Sequence, residues 1–152
     1  MSARGRYRET QPATVIRVAM GISILFVVAL LTVLDLPAAA RIGLVAVAAL
    51  EAVLLFLLHS MTVEVAGGEL RVSFGPGLIR RAYPVARIVR ATPVQQPWHA
   101  GRGVRLSPRS TMMIVSGGKA LELELEGGRR ILLGSPAPER LAEAIEAERA
   151  RD

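Results

Sequence analysis

Two apolar stretches, Val18–Leu34 and Ile42–Leu58, stand back to back near the start of the chain, each 17 residues long. Ser23 and Thr32 are the polar side chains of the first, and Glu51 is the one charge in the second. At a rise of about 1.5 Å per residue, such a stretch spans roughly 25 Å as a helix, slightly under the ~30 Å hydrocarbon core of a bilayer. Arg17 and Arg41, at the flanks, can snorkel to headgroups and cover the shortfall. Between the stretches lies Asp35-Leu36-Pro37-Ala38-Ala39-Ala40, where Pro37 ends a helix because it lacks an N–H and fixes φ. The pattern predicts a transmembrane helical hairpin over 18–58, preceded by a basic tail over 1–17 and followed by a soluble domain over 59–152. A cleaved signal peptide is the rival reading, since Ala38-Ala39-Ala40 resembles a processing site. Against it, the first apolar run exceeds the usual ~7–15 residues and a second span follows directly.

From Thr62 onward the period changes from helical to two. Val63 and Val65 alternate with Thr62 and Glu64. In Glu69–Phe74, Leu70, Val72 and Phe74 face one way and Glu69, Arg71 and Ser73 the other. Further strands are expected at Leu78–Tyr83, Ala86–Thr92, Gly103–Leu106, Thr111–Val115, Lys119–Leu125 and Arg129–Gly134. About seven short strands separated by Gly and Pro turns predict a mainly-β domain, an antiparallel barrel or sandwich. In Lys119–Gly134 a two-residue Gly127-Gly128 turn would set Glu124 against Ile131. A three-residue loop, Glu126-Gly127-Gly128, instead pairs Leu123 with Ile131, Leu121 with Leu133 and Glu124 with Arg130, and puts Gly128 at the left-handed position. The chain ends in an expected helix, Pro136–Arg151, with Ser135 as its cap and Leu141, Ala144 and Ile145 docking it on the sheet. At about 14 residues it would be marginal alone in water, so docking is required.

Several segments carry a family likeness: Gly101-Arg102-Gly103-Val104-Arg105, Val115-Ser116-Gly117, Ala120-Leu121-Glu122-Leu123-Glu124-Leu125, Gly134-Ser135 and Pro138–Ile145. With the preceding hairpin, the chain resembles bacterial PH-like (pleckstrin-homology-like) domain membrane proteins that have two N-terminal transmembrane helices. The resemblance implies a PH-like β barrel capped by a C-terminal helix. Its motifs are turn and packing signals, so they imply a fold and no activity. Thr111-Met112-Met113-Ile114 and Arg102 stand where that family tends to place aromatic residues.

Charge adds an orientation. Arg4, Arg6, Arg8 and Arg17 precede the first span and Arg71, Arg80 and Arg81 follow the second, against Arg41 alone in the connection. The excess of cations predicts both termini in the cytoplasm and an inner-membrane, double-pass protein. The formal charge is +6. Between Leu70 and Leu121 stand nine basic residues and no acidic one, Arg80, Arg81, Arg87, Arg90, Arg102 and Arg105 among them. Each basic residue near an anionic leaflet contributes about 1 kcal/mol, so contact with anionic lipid headgroups or a protein partner is expected of them. The plainer alternative is that they sit on solvated strand faces and enforce orientation.

Trp98 and His99 fall in the longest irregular stretch, Thr92–Gly103, as an interfacial anchor or partner contact, or as a cover for the barrel end. Glu51 costs about 2.5–3.5 kcal/mol mid-span, which the surrounding apolar residues outweigh. It reads either as a proton-linked or partner-binding site or as a hydrogen-bonding partner of Ser23, which an antiparallel hairpin places at similar depth. Its Glu51, with Gly21 and Gly43, could also pack the hairpin against another membrane protein or a second copy.

Chemistry is sparse. There is no cysteine, the histidines are His59 and His99, and the aspartates are Asp35 and Asp152. No metal-ligand spacing and no Ser/His/Asp set can be assembled, so no catalytic residue, cofactor or metal is expected. Trp98, Tyr83 and Phe74 are too scattered for nucleic-acid stacking. The expectation is a non-enzymatic membrane-anchored binding module, or else an accessory subunit acting through its hairpin.

Overall fold

The computed structural model describes residues 7–95, 103–107, 110–114 and 118–151. The apolar stretches form two long helices, α1 (Thr14–Val33) and α2 (Ala38–Leu58). With 20 and 21 residues they are each about 30 Å long, so the shortfall expected from the apolar runs alone does not arise. Both are long and apolar enough to cross a membrane, and their most apolar windows are 6% and 0% buried within the protein. Val27 is the one described residue of the pair that is buried. Pro37 starts α2, and an exposed Asp35–Arg41 ion pair of 3.4 Å spans the connection.

The segment expected as a basic tail carries a strand, β1 (Tyr7–Pro12), that enters the sheet one residue before α1. One residue after α2, the chain re-enters as β2 (Ser60–Ala66), antiparallel to β1 from Tyr7↔Val65 to Pro12↔Ser60. β3 (Glu69–Phe74) and β4 (Ile79–Pro84) complete a four-stranded sheet in order β1-β2-β3-β4. Alternation holds: Met61, Val63, Val65, Leu70, Val72 and Phe74 are all buried on one face. The edge strand β4 is exposed almost throughout, including Arg81, the register partner of Val72.

A 3₁₀ turn, Val85–Arg87, replaces the start of the strand expected over Ala86–Thr92, and β5 runs over Ile88–Gln95. A register shift between Ile88 and Arg90 frees the Ile88 and Val89 carbonyls, which accept from Arg149 Nη1, both at 3.3 Å. β6 (Gly103–Leu106), β7 (Ser110–Ile114), β8 (Lys119–Leu125) and β9 (Arg130–Gly134) join β5 in a second sheet ordered β5-β8-β9-β7-β6. The expected β8–β9 register is found: Leu123 faces Ile131, Leu121 faces Leu133, Glu124 faces Arg130, and Gly128 has φ +78°. One expectation is corrected. The domain is not wholly antiparallel, because β7 pairs parallel with β9. β8 turns back from β7 to pair with β5, and β9, reversing again, fills the space beside β7 in the same direction as β7.

The last helix, α3 (Pro138–Arg149), begins two residues later than expected. Ser135 Oγ accepts from the Ala137 N–H at 3.1 Å, ahead of the helix proper, and Pro138 takes the first turn. Leu141 and Ile145 are fully buried in the common core and Ala144 packs partly against it. Two such side chains contribute about 1.5–3 kcal/mol each, enough to hold a helix that would fray alone. Leu121, Leu123, Ile131 and Leu133 of one sheet and Met61, Val63 and Val72 of the other complete that core.

The sheets have distinct ends. Pro12, Ser60 and Phe74 lie at the hairpin end, while the Gly67-Gly68 turn lies at the far end, where the Glu148 carboxylate accepts from the Gly68 N–H at 2.8 Å. Gln11, 2% exposed, donates through Nε2 to the Gly134 carbonyl at 2.7 Å, which brings the end of β9 to the hairpin end as well.

Candidate functional site

The outer face of the first sheet is built from rungs that alternation dictates. Thr10, Thr62, Ser73 and Arg80 form one rung across β1 to β4, and Arg8, Glu64, Arg71 and Ala82 form the rung beyond it. Together with the Gly75-Pro76-Gly77 turn and Arg81, the rung residues other than Thr10 line an open cleft of about 530 Å³. Its lining includes four arginines (Arg8, Arg71, Arg80, Arg81) and one acidic residue, Glu64. Arg71 is paired with Glu69 through Nη2 at 2.8 Å, and Arg80 Nε donates to the Gly77 carbonyl. The Thr62 hydroxyl, in the cleft lining, shares a 2.9 Å hydrogen bond with the hydroxyl of Thr10 on the neighbouring strand. Cationic donors over a hydroxyl-bearing floor suit an anionic, oxygen-rich ligand.

The cleft lies toward the hairpin end. Gly75 donates its N–H to the Ser60 carbonyl at 2.8 Å, directly after α2, and Arg80 stands one residue from the Phe74↔Ile79 pair. A strand rises about 3.3 Å per residue, so the Arg80 rung is within a few ångströms of the helix end.

The arginines singled out from the sequence do not share one face. Arg80 and Arg81 line the cleft. Arg87 lies in the 3₁₀ turn, where Val85 N–H bonds the Gly68 carbonyl, at the far end of the sheet. Arg90 stands opposite Glu124 across β5–β8, and Glu124 in turn opposite Arg130, so Arg90 belongs to the second sheet. Arg105 has its backbone in β6, and Arg102, Trp98 and His99 lie outside the described residues. Gln95, which precedes that segment, pairs with Lys119, and Gly103, which follows it, pairs with Ile114. Both pairs are at the same end of the second sheet as Gly134.

Sequence reasoning missed Arg8 as part of this surface. Its neighbours Glu9 and Gln11 face inward in place of apolar residues, so β1 shows no hydrophobic alternation. The inward polar groups are satisfied instead: Tyr7 Oη donates to Glu9 Oε2 at 2.6 Å and Ser135 Oγ donates to the same oxygen at 3.0 Å. Burial, this hydrogen bond and the Glu9 charge push the Tyr7 phenol up to about 12.

In the hairpin, Ser23 Oγ donates to Glu51 Oε1 at 2.7 Å, the pairing expected from equal depth. Glu51 Oε2 is buried with no hydrogen-bond partner among the described residues. A Cβ added at Gly21 or Gly43 would meet nothing within 4 Å, so neither glycine serves close packing of α1 on α2.

No protein-family model matches the chain, and no curated protein matches it.

Proposed function

We propose that this is a membrane-anchored, non-enzymatic binding module that crosses the inner membrane twice and holds a PH-like β domain against the cytoplasmic leaflet, where it contacts anionic lipid headgroups. The observation that carries the reading is the Arg8–Arg71–Arg80–Arg81 cleft beside the end of α2. β1 and β2 are paired neighbours, so the segments before and after the hairpin share one side of any membrane the hairpin crosses. The surplus of arginine over the single Arg41 of the connection favours the cytoplasm for that side. Each cleft arginine within a Debye length of an anionic surface contributes about 1 kcal/mol.

The full chain, reconstituted in nanodiscs of mixed phosphatidylcholine and phosphatidylglycerol and released for native mass spectrometry, is expected to retain phosphatidylglycerol preferentially. Arg80→Gln with Arg81→Gln should abolish the preference, and Arg87→Gln should leave it intact. Equal retention of the two lipids by the unmodified protein sinks the headgroup reading.

A second reading makes the chain an accessory subunit whose hairpin packs on another membrane protein or a second copy. Its support is the unpartnered Glu51 Oε2 together with the open surfaces at Gly21 and Gly43. Crosslinking from α1 and α2 in native membranes separates the two: a specific adduct that Glu51→Leu removes favours the accessory role.

A further inference from the structure

We propose that the β3–β4 turn, Gly75–Ile79, is an apolar foot that enters the bilayer beside the second span. The proposal rests on the membrane-anchored part of the reading above and is independent of headgroup charge.

Position comes first. The turn is pressed against the last turn of α2: a Cβ at Gly75 would collide with the Leu57 carbonyl oxygen and lie 2.8 Å from that of Phe56. Those residues belong to the apolar span itself, so the turn stands level with the hydrocarbon boundary rather than above it. Chemistry follows. Leu78 is 72% exposed and Ile79 42% exposed, side by side at this tip, while the alternating apolar residues of β3 leading to it are buried. Large adjacent apolar side chains of that kind are costly in water and favourable a short way into lipid.

Rigidity is the third element. Gly75 is tied to Ser60 by its N–H, Gly77 N–H bonds the Phe74 carbonyl at 2.9 Å, and Arg80 Nε holds the Gly77 carbonyl. The tip is therefore shaped before it meets a membrane, and Leu78 can enter lipid without ordering a loop. Arg80 and Arg81, following at once, sit where a phosphate layer would lie, in the order apolar tip then cation that suits an interface.

The chain lacks cysteine, so single thiols can be introduced and labelled with an environment-sensitive fluorophore in the full-length protein. Three sites are compared in vesicles of pure phosphatidylcholine and of phosphatidylcholine with phosphatidylglycerol: Leu78→Cys, Glu126→Cys at the far end and Leu50→Cys within α2. The Leu78 label is expected to be blue-shifted, quenched by lipids carrying a shallow doxyl group, and shielded from iodide, with the Glu126 label showing the reverse. Insertion in both vesicle types supports the foot even where phosphatidylglycerol preference is absent, which would remove the headgroup reading alone. A Leu78 label as open to iodide as Glu126, with Leu50 quenched by lipid, overturns the foot and leaves the span. A Leu50 label untouched by lipid quenchers overturns the anchored reading and the foot with it.

Discussion

The Ala13 N–H donates to the His59 carbonyl oxygen at 2.9 Å, closing the neck of the hairpin one residue beyond the β1–β2 pairing. The chain thus leaves the sheet and returns to it at a single point, and no linker separates helices from β domain. Ile16 and Leu58 pack against the same core as Met61 and Val63. The two long helices are rooted in that sheet, which fixes how the domain stands on them.

That neck makes the hairpin removable. Replacing residues 14–58 by Asn-Gly between Ala13 and His59 should give a water-soluble β domain, since a two-residue turn can close adjacent antiparallel strands. A fragment beginning at Met61 should aggregate, because it bares the β2 edge and strips the Gly134 carbonyl of its Gln11 donor. Size-exclusion chromatography with circular dichroism distinguishes the outcomes. A soluble, monomeric Met61–Asp152 fragment would show that β1 is dispensable.

The contact of Gly75 with α2 predicts a difference between two glycines of similar backbone. Gly75 and Gly67 have φ +53° and +60°, but a Cβ at Gly67 meets nothing within 4 Å. Gly67→Ala should carry only the left-handed penalty of about 1–2 kcal/mol. Gly75→Ala adds a backbone collision, so its melting temperature in detergent should fall clearly further. Equal shifts would mean that the turn is not pressed against α2.

How much of this was legible beforehand follows from what each element buries. The hairpin, β3 and the β8–β9 loop announce themselves because lipid or core takes one chemically uniform face. The Ser23–Glu51 bond also followed, since antiparallel spans of similar length match depth. β1 was hidden because its inward side chains, Tyr7, Glu9 and Gln11, bond to one another and to the Gly134–Ser135 segment. The parallel β7–β9 pair was equally hidden, because strand order depends on which distant strand fills a gap. For the site, alternation alone could assign Arg80 to the face of Ser73, but it could not show that Arg87 and Arg90 stand elsewhere.

Tyr7 predicts an alkaline signature. Its phenol is pushed up to about 12, chiefly by burial and then by the Glu9 hydrogen bond, from an ordinary value of 10. A raised folded value means the neutral phenol is favoured in the native state. Its contribution is fully present below pH 10 and is lost as pH rises from 10 through about 12. Unmodified protein should therefore lose stability over that window more steeply than Tyr7→Phe, by chemical denaturation at stepped pH. Parallel curves would mean that Tyr7 is not coupled to folding.

The Ser23–Glu51 pair predicts a measurable but modest coupling within the hairpin. The bond is 2.7 Å long and joins helices that meet little else polar between them. Interhelical hydrogen bonds in membranes contribute about 0.6 kcal/mol on average and up to about 1.7, because unpaired helices find other partners. A cycle of Ser23→Ala, Glu51→Ala and the double variant, unfolded in detergent, should return a coupling in that range. Glu51→Gln should keep it, since the amide oxygen still accepts from Ser23 Oγ. If Glu51→Gln preserves stability but a cellular function is lost, the acid itself is used, and the unpartnered Oε2 is where its proton or partner would be bound.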